Sequence, residues 1–441
     1  MAKDQLGLSL TGSADAAAAY DRAVADYWGV TGDPVGHLKQ ALAAEPDFGL
    51  GATAIAGLFL IGGFRGDHPE VVAAIDAARR ALAAASPRER LHLAAVEAWA
   101  EGRSIDATLA WEAILVDWPT DALALRLAQD GYFFLGQSAA IRDSIARVRP
   151  AWDAGHPLAS FVLGAYAFGL EETGDLGRAE AAAREALARN PKDAWATHAL
   201  AHVFETACRT EEGIAFLEAT HDAWGPAHFM AGHNGWHLAL YLIEQGRADR
   251  VLANYDRFVA PRLADDLTLD RCDAAALLWR LELEGVDVGD RWAPVARAWR
   301  GHVDDHVLAF NDLHAALAAA RSPDPEDATR LRRSLDDYVG AGRGHNHTVT
   351  AEVGRRLVEG MLRYGEGRDA EAIEAILPAR YDAHRIGGSH AQRDIVALTL
   401  IAAAERSGRW RLARALLAER LALRPTAGVR ERYERAAARA G

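Results

Sequence analysis

The sequence predicts an all-α protein built from stacked helical hairpins. Three observations carry that expectation: apolar residues recur at helical spacing, strand-like alternation is nearly absent, and one glycine–proline spacing returns along the chain. Segments such as EVVAAIDAARRALAAA (70–85) and LGRAEAAAREALARN (176–190) place apolar residues at i, i+3, i+4 and i+7, the signature of an amphipathic helix.

The recurring spacing is a glycine, sixteen residues, then a proline: Gly29 and Pro46, Gly102 and Pro119, Gly174 and Pro191, Gly408 and Pro425. Twelve residues before the last three prolines stand Ala107, Ala179 and Ala413. A glycine can end one helix in a left-handed turn, and a small alanine lets the next helix approach closely. The proline cannot continue that second helix and closes the unit. This is the helix–turn–helix grammar of a tetratricopeptide repeat, whose period is about 34 residues. The best copy is SFVLGAYAFGLEETGDLGRAEAAAREALARNPKD (160–193), with Tyr166, Ala167, Gly174, Ala179, Ala183, Ala186 and Pro191 in place. Weaker copies are LALYLIEQGRADRVLANYD (238–256) and VEGMLRYGEGRDAEAIEAIL (358–377). Segments 261–308 and 336–349 interrupt the period, the second as a glycine-rich turn region. The expected organisation is one repeat domain over 1–441, an α-α superhelix clearest at about 160–260 and 355–430, curved around a central polar pocket.

Composition narrows the function. The 441 residues are half apolar and one quarter charged, with 49 Lys+Arg against 62 Asp+Glu and a net charge of −13. No basic run with interleaved aromatics occurs, so no nucleic-acid partner is expected. The longest apolar run, LGATAIAGLFLIGGF (50–64), falls short of the roughly 20 residues of a membrane span, and no membrane partner is expected. MAKDQLGLSL has no basic stretch leading into an apolar core, so no secretory signal is expected. Cys208 and Cys272 are the two cysteines. A disulfide framework is not expected, and a cytoplasmic location fits.

Histidines are concentrated where a purely structural repeat has no need of them. HALAHVFE (198–205) and HNGWHLAL (233–240) each set two histidines four apart. A helix turns 100° per residue, so His198, His202 and Glu205 share one face, as do His233 and His237 on the next hairpin. Corresponding helices of adjacent repeats stack side by side, so these side chains should converge, with Asn234 and Trp236 beside them. FNDLHAAL (310–317) adds Asn311, Asp312 and His314 at the head of a helix. IGGSHAQRD (386–394) offers a Gly387-Gly388 turn, Ser389 as a helix cap, and Gln392, Arg393 and Asp394 in the first turn. Arg393 opposes the helix dipole there and is expected to clamp a carboxylate.

These motifs, together with AHVFE (201–205), HNGWHLALYLIEQGRADRVLANYD (233–256), FNDLH (310–314) and IGGSHAQRD (386–394), resemble the tetratricopeptide repeat protein 38 family. The resemblance runs from about 20 to 425 and departs from the family at His390, where its members often carry Asn. It implies a helical-repeat superhelix with a shared polar centre, and it implies no particular reaction.

The expected function is that of an enzyme, hydrolase- or lyase-type, performing general acid–base chemistry on a small acidic or polar molecule. Histidine moves protons near neutrality, and a carboxylate fixes its tautomer. The candidate catalytic residues are His198, His202, Glu205, His233, His237, Asp312 and His314. Those expected to touch substrate are Asn234, Trp236, Ser389, Gln392, Arg393 and Asp394, with Asn234 donating to a developing oxyanion. No GxSxG elbow is present. No cofactor is expected. Were a metal present, His198, His202, Glu205 and His237 would supply its N/O ligands. A homo-oligomer is compatible with the sequence. The alternative is a repeat scaffold that binds other proteins, although lysines of a peptide-carboxylate clamp are few.

Overall fold

The computed structural model describes residues 2–82 and 85–441. They form the expected all-α protein: helices connected by short turns, with a single two-stranded ribbon pairing Ala2–Lys3 with Ser9–Leu10. Among the described residues no sheet has three or more strands. The helix expected within 70–85 runs from Pro69 to Ala81, and Ala83 and Ala84 lie outside the described residues.

The glycine–proline grammar is visible in the backbone. Gly102, Gly174 and Gly408 adopt φ of +77°, +84° and +72° between paired helices, a region in which a Cβ is strained. The prolines follow the second helices at a fixed distance. Helices Pro34–Ala44, Ser104–Asp117, Leu176–Arg189 and Trp410–Leu423 each end two residues before one of them. Ala107, Ala179 and Ala413 are fully buried where the hairpin helices meet. The first copy differs from expectation. Gly29 remains helical, and Val30 takes the left-handed turn at φ +53°. Cys208 does the same at φ +56° between Ala194–Thr206 and Thr210–Ala219, standing where other copies have glycine.

The chain divides into two compact units. The first comprises Met1–Leu200, Asp222–Met230 and Arg343–His345. Its N-terminal ribbon is pinned by the Pro87–Ala100 helix, because Arg88 Nη2 donates to the Ser9 carbonyl at 2.9 Å and Glu89 accepts from Thr11 N at 2.7 Å. Buried Arg88 and His92 both reach Asp121, at 2.6 and 2.9 Å, so that charge is paired where no water can screen it. Val30, Ala194, Ala227 and Met230 form an apolar cluster flanked by Trp195 and Phe229.

The second unit comprises Ala201–His221, Ala231–Gly342 and Asn346–Gly441. Its centre is the Thr268–Leu283 helix, which packs against Ala309–Ala320 and His390–Arg406. Buried Trp279 donates from Nε1 to Thr399 Oγ1 at 2.9 Å, tying two of these helices. The interruptions of the period have physical form here. Tyr255–Val259 and Thr350–Gly354 are π-helical turns, and Ala260–Asp265 is a 3₁₀ turn. The region 336–349, expected as a turn, is largely helical. Glu326–Ala341 continues through its first part, and His345–Val349 forms a short helix. Among the described residues no helix is long and apolar enough to cross a membrane.

Candidate functional site

Four imidazoles of the second unit lie in contiguous contact. Ring centroids are 5.0 Å apart for His233 and His237, 4.5 Å for His237 and His202, and 5.4 Å for His202 and His390. They come from three helices, Ala194–Thr206, His228–Glu244 and His390–Arg406. His202 and His237 are fully buried. Stacked hairpins thus bring His202 of one helix against His237 of the next.

Carboxylates meet this row at two places. His233 Nδ1 lies 2.7 Å from Asp273 Oδ2. His237 Nδ1 lies 3.3 Å from Glu205 Oε2, and Glu205 Oε1 accepts from Arg424 Nη2 at 2.8 Å. Burial would raise the Glu205 pKa, but the Arg424 guanidinium and the neighbouring imidazoles outweigh it and hold the carboxyl well below its usual range. Burial, then the nearby His202, drives His237 the other way, down to about 3, despite Glu205. At neutral pH the pair is thus an anion beside a neutral ring. A ring whose Nδ1 faces a carboxylate presents Nε2 as its proton acceptor.

The remaining expected residues divide into three groups. His198 belongs to the first unit, where its ring packs against Phe168 at 5.3 Å and Trp195 at 6.3 Å. Trp236 is buried, stacked on His233 with 5.5 Å between centroids, and acts as a wall rather than a solvent-facing binding surface. Asn234 is fully buried, and neither its amide oxygen nor its nitrogen has a hydrogen-bond partner among the described residues.

The IGGSHAQRD motif is mostly a helix start. Ser389 Oγ accepts from Gln392 N at 3.2 Å while Gln392 Oε1 accepts from Ser389 N at 3.0 Å, a complete capping box. The helix begins at His390, one residue earlier than expected, and Asp394 falls beyond its first turn. Arg393 Nη1 donates to the Gly387 and Gly388 carbonyls, which ties the side chain to the turn that precedes its helix. Asp394 keeps a place in the site through a two-pronged pair with Arg420, at 2.6 and 3.0 Å. Its carboxyl is held far below the usual range, burial being overcome by Arg420 and Arg424.

Asp312 and His314 take other partners. Asp312 Oδ1 lies 3.1 Å from His306 Nδ1, and His306 Nε2 lies 2.8 Å from Ser334 Oγ. Burial raises the Asp312 carboxyl. The Ser334 hydroxyl also bonds Asp304, so the chain of contacts runs on from Asp312 through His306 to a second carboxylate. His314 Nδ1 donates to the Phe310 carbonyl at 2.8 Å within its own helix, and burial lowers its pKa to about 4.

Sequence reasoning missed Arg280, Asp273, Arg420 and Arg424, and it set His390 aside because it departs from the family pattern. Arg280 and Asp273 carried a signal. Both interrupt the apolar run of DAAALLWRLEL (273–283), seven apart and therefore on one helical face. Arg420 and Arg424 carried none beyond their own i, i+4 spacing.

Glu205 is also one wall of a cleft, partly open to solvent, which Arg280, Asp394, Arg420 and Arg424 also line. No protein-family model matches the chain.

Proposed function

We propose that the protein is an enzyme that performs general acid–base chemistry, hydrolysis or elimination, on a small acidic or polar molecule. One observation supports this above others: His233, His237, His202 and His390 touch in sequence within a buried centre flanked by Asp273 and Glu205. Buried polar groups that serve only packing are expensive, at about 1–3 kcal/mol for each one left unsatisfied. A row of imidazoles beside carboxylates has the opposite economy when it moves protons, because each ring can accept at one nitrogen and release at the other. His237 is the base in this reading. It is neutral at rest, and the negative charge of an arriving substrate raises its proton affinity. Glu205 orients the ring and stabilises the imidazolium that forms, as a carboxylate does for histidine in other acid–base sites.

The resemblance to the tetratricopeptide repeat protein 38 family, a cytoplasmic location and a small-molecule partner belong to the same proposal. The test is a thermal-shift screen of a metabolite library with purified protein, run alongside elemental analysis for bound metal. A stabilising metabolite that is also converted, with conversion lost in His237→Gln, supports the reading. Stabilisation by zinc alone would favour the metal reading of His198, His202, Glu205 and His237. The alternative is an interaction scaffold, which the glycine–proline hairpin architecture favours; no metabolite response with stoichiometric capture of a peptide would select it.

A further inference from the structure

The cleft beside Glu205 has three guanidiniums, and inside its rim it has two carboxylates, buried Glu205 and half-buried Asp394. Arg420 pairs through both Nη atoms with Asp394, and Arg424 pairs with Glu205. The third, Arg280, is 5% exposed and has no carboxylate to itself. Its Nη2 donates to the Ala391 carbonyl at 2.6 Å, its Nη1 stands 3.8 Å from Asp394, and its Nε has no hydrogen-bond partner among the described residues. The Trp236 ring lies 5.5 Å from the guanidinium carbon and closes off another approach. A buried cation without a full counter-charge is costly by several kcal/mol. An apolar residue at 280 would pack the same helix without that cost.

The rim has the opposite sign. Glu244 and Glu284 line the mouth and are exposed. Glu284 is engaged by Arg432 at 3.3 Å, which makes Glu244 the rim carboxylate for an incoming cation. Positive charge in excess inside and negative charge at the lip describe a ligand that carries both.

We infer that the cleft binds a small zwitterion, a carboxylic acid bearing an ammonium group, with the carboxylate on Arg280 and the ammonium toward Glu244. A guanidinium presents parallel N–H groups that match a carboxylate, which favours this docking over a point contact. The site deepens the proposed function, since it rests on that reading for where the bound molecule reacts. Binding itself can be measured without turnover.

Cys208 provides the readout. It lines the cleft and is partly exposed, whereas Cys272, the other cysteine, is buried. The alkylation rate of Cys208 by a maleimide is measured with a panel of standard amino acids, their desamino acids and their decarboxylated amines. The expected result is slowing by about tenfold at saturation with at least one amino acid, and by much less with its desamino acid or amine. Arg280→Met abolishes the protection. Glu244→Gln, an exposed change that leaves the core untouched, makes the amino acid no better than the desamino acid. Absence of protection by every probe, protection retained in Arg280→Met, or undiminished preference in Glu244→Gln overturns the inference. Should Arg280→Met not fold, Glu244→Gln decides. Protection without conversion of any protecting compound keeps this site and ends the enzymatic reading.

Discussion

His202 and His237, carried by successive helical hairpins, meet ring to ring at 4.5 Å with neither exposed to solvent. Such a pair has two different deletion phenotypes, and they separate chemistry from packing. His202→Gln and His237→Gln retain volume and polarity, so both are expected to fold. Each is expected to lose about 10²–10⁴ in turnover, the usual worth of an acid–base group. The alanine variants additionally leave cavities and are expected to lose roughly 2–5 kcal/mol of stability, as large-to-small core changes do. Circular-dichroism melts beside activity assays check both. Glutamine variants with full activity would return these rings to the scaffold.

Arg393 and Asp394 are neighbours with unequal roles. Asp394→Asn leaves half-buried Arg420 and buried Arg280 beside a neutral amide, and breaking one side of such a pair is expected to cost up to about 3–5 kcal/mol, the figure for full burial. Arg393→Ala removes hydrogen bonds to the Gly387 and Gly388 carbonyls and is expected to cost less, about 1–3 kcal/mol. Protection of Cys208 by its zwitterion is expected to survive Arg393→Ala. Urea titrations of both variants, with the alkylation assay, would show whether the order is reversed.

Much of this was legible because repetition is a strong signal. Four glycine–proline spacings indicated hairpins, and the i, i+4 histidines indicated which helical faces would meet. What remained hidden depends on partners far away in the chain. Nothing near Arg393 in sequence shows that its guanidinium folds back on its own turn, whereas Ser389 and Gln392 three residues apart are a capping pattern that could have been weighted higher. Asp312 meets His306, six residues upstream and outside any periodic segment, a partner that the helical spacing did not indicate. Arg424 was invisible for a different reason, because only the fold brings it to Glu205.

The Gly387-Gly388 turn and its cap support the row through His390. Gly388 sits at φ +78°, and a Cβ there would come within 2.5 Å of the Phe310 ring. Gly388→Ala is therefore expected to be more damaging than Ser389→Ala, for which loss of an N-cap costs about 1 kcal/mol. Shifts in the urea midpoint measure both; equal shifts would mean that the turn relaxes away from Phe310.

His306 should impose a pH dependence on the second unit. Burial pulls its pKa down, but the Asp312 hydrogen bond and the charges of Asp312, Asp304 and Asp305 outweigh it and hold the value above the ordinary 6.5. The stabilising interaction is therefore fully present below 6.5 and is lost as pH rises through the elevated value. His306→Gln is expected to flatten the stability profile on that alkaline side while leaving the acid side alone. Chemical denaturation across the neutral range tests it, and an unchanged slope would show that the ring does not titrate against Asp312.

Acid acts on two other buried rings, one in the histidine row and one outside it, with the opposite sign. His237 has a folded pKa of about 3, and His314 one of about 4, both pushed down chiefly by burial. As pH falls below 6.5 the unfolded chain takes up protons at these rings while the folded chain does not, so stability drops through the window from 6.5 toward those values. Each such ring contributes a slope of up to about 1.4 kcal/mol per pH unit. Glu205, whose carboxyl is held low by Arg424, adds to the loss only once pH passes below the ordinary range for glutamate. Removing one neutral ring should therefore reduce the early part of the acid slope before any carboxylate contributes. Denaturation free energies of wild type, His237→Gln and His314→Gln at mildly acid pH give the comparison. A His237→Gln profile parallel to wild type would mean that the folded ring takes up its proton over the same pH range as the unfolded one, so that burial does not hold it neutral in acid.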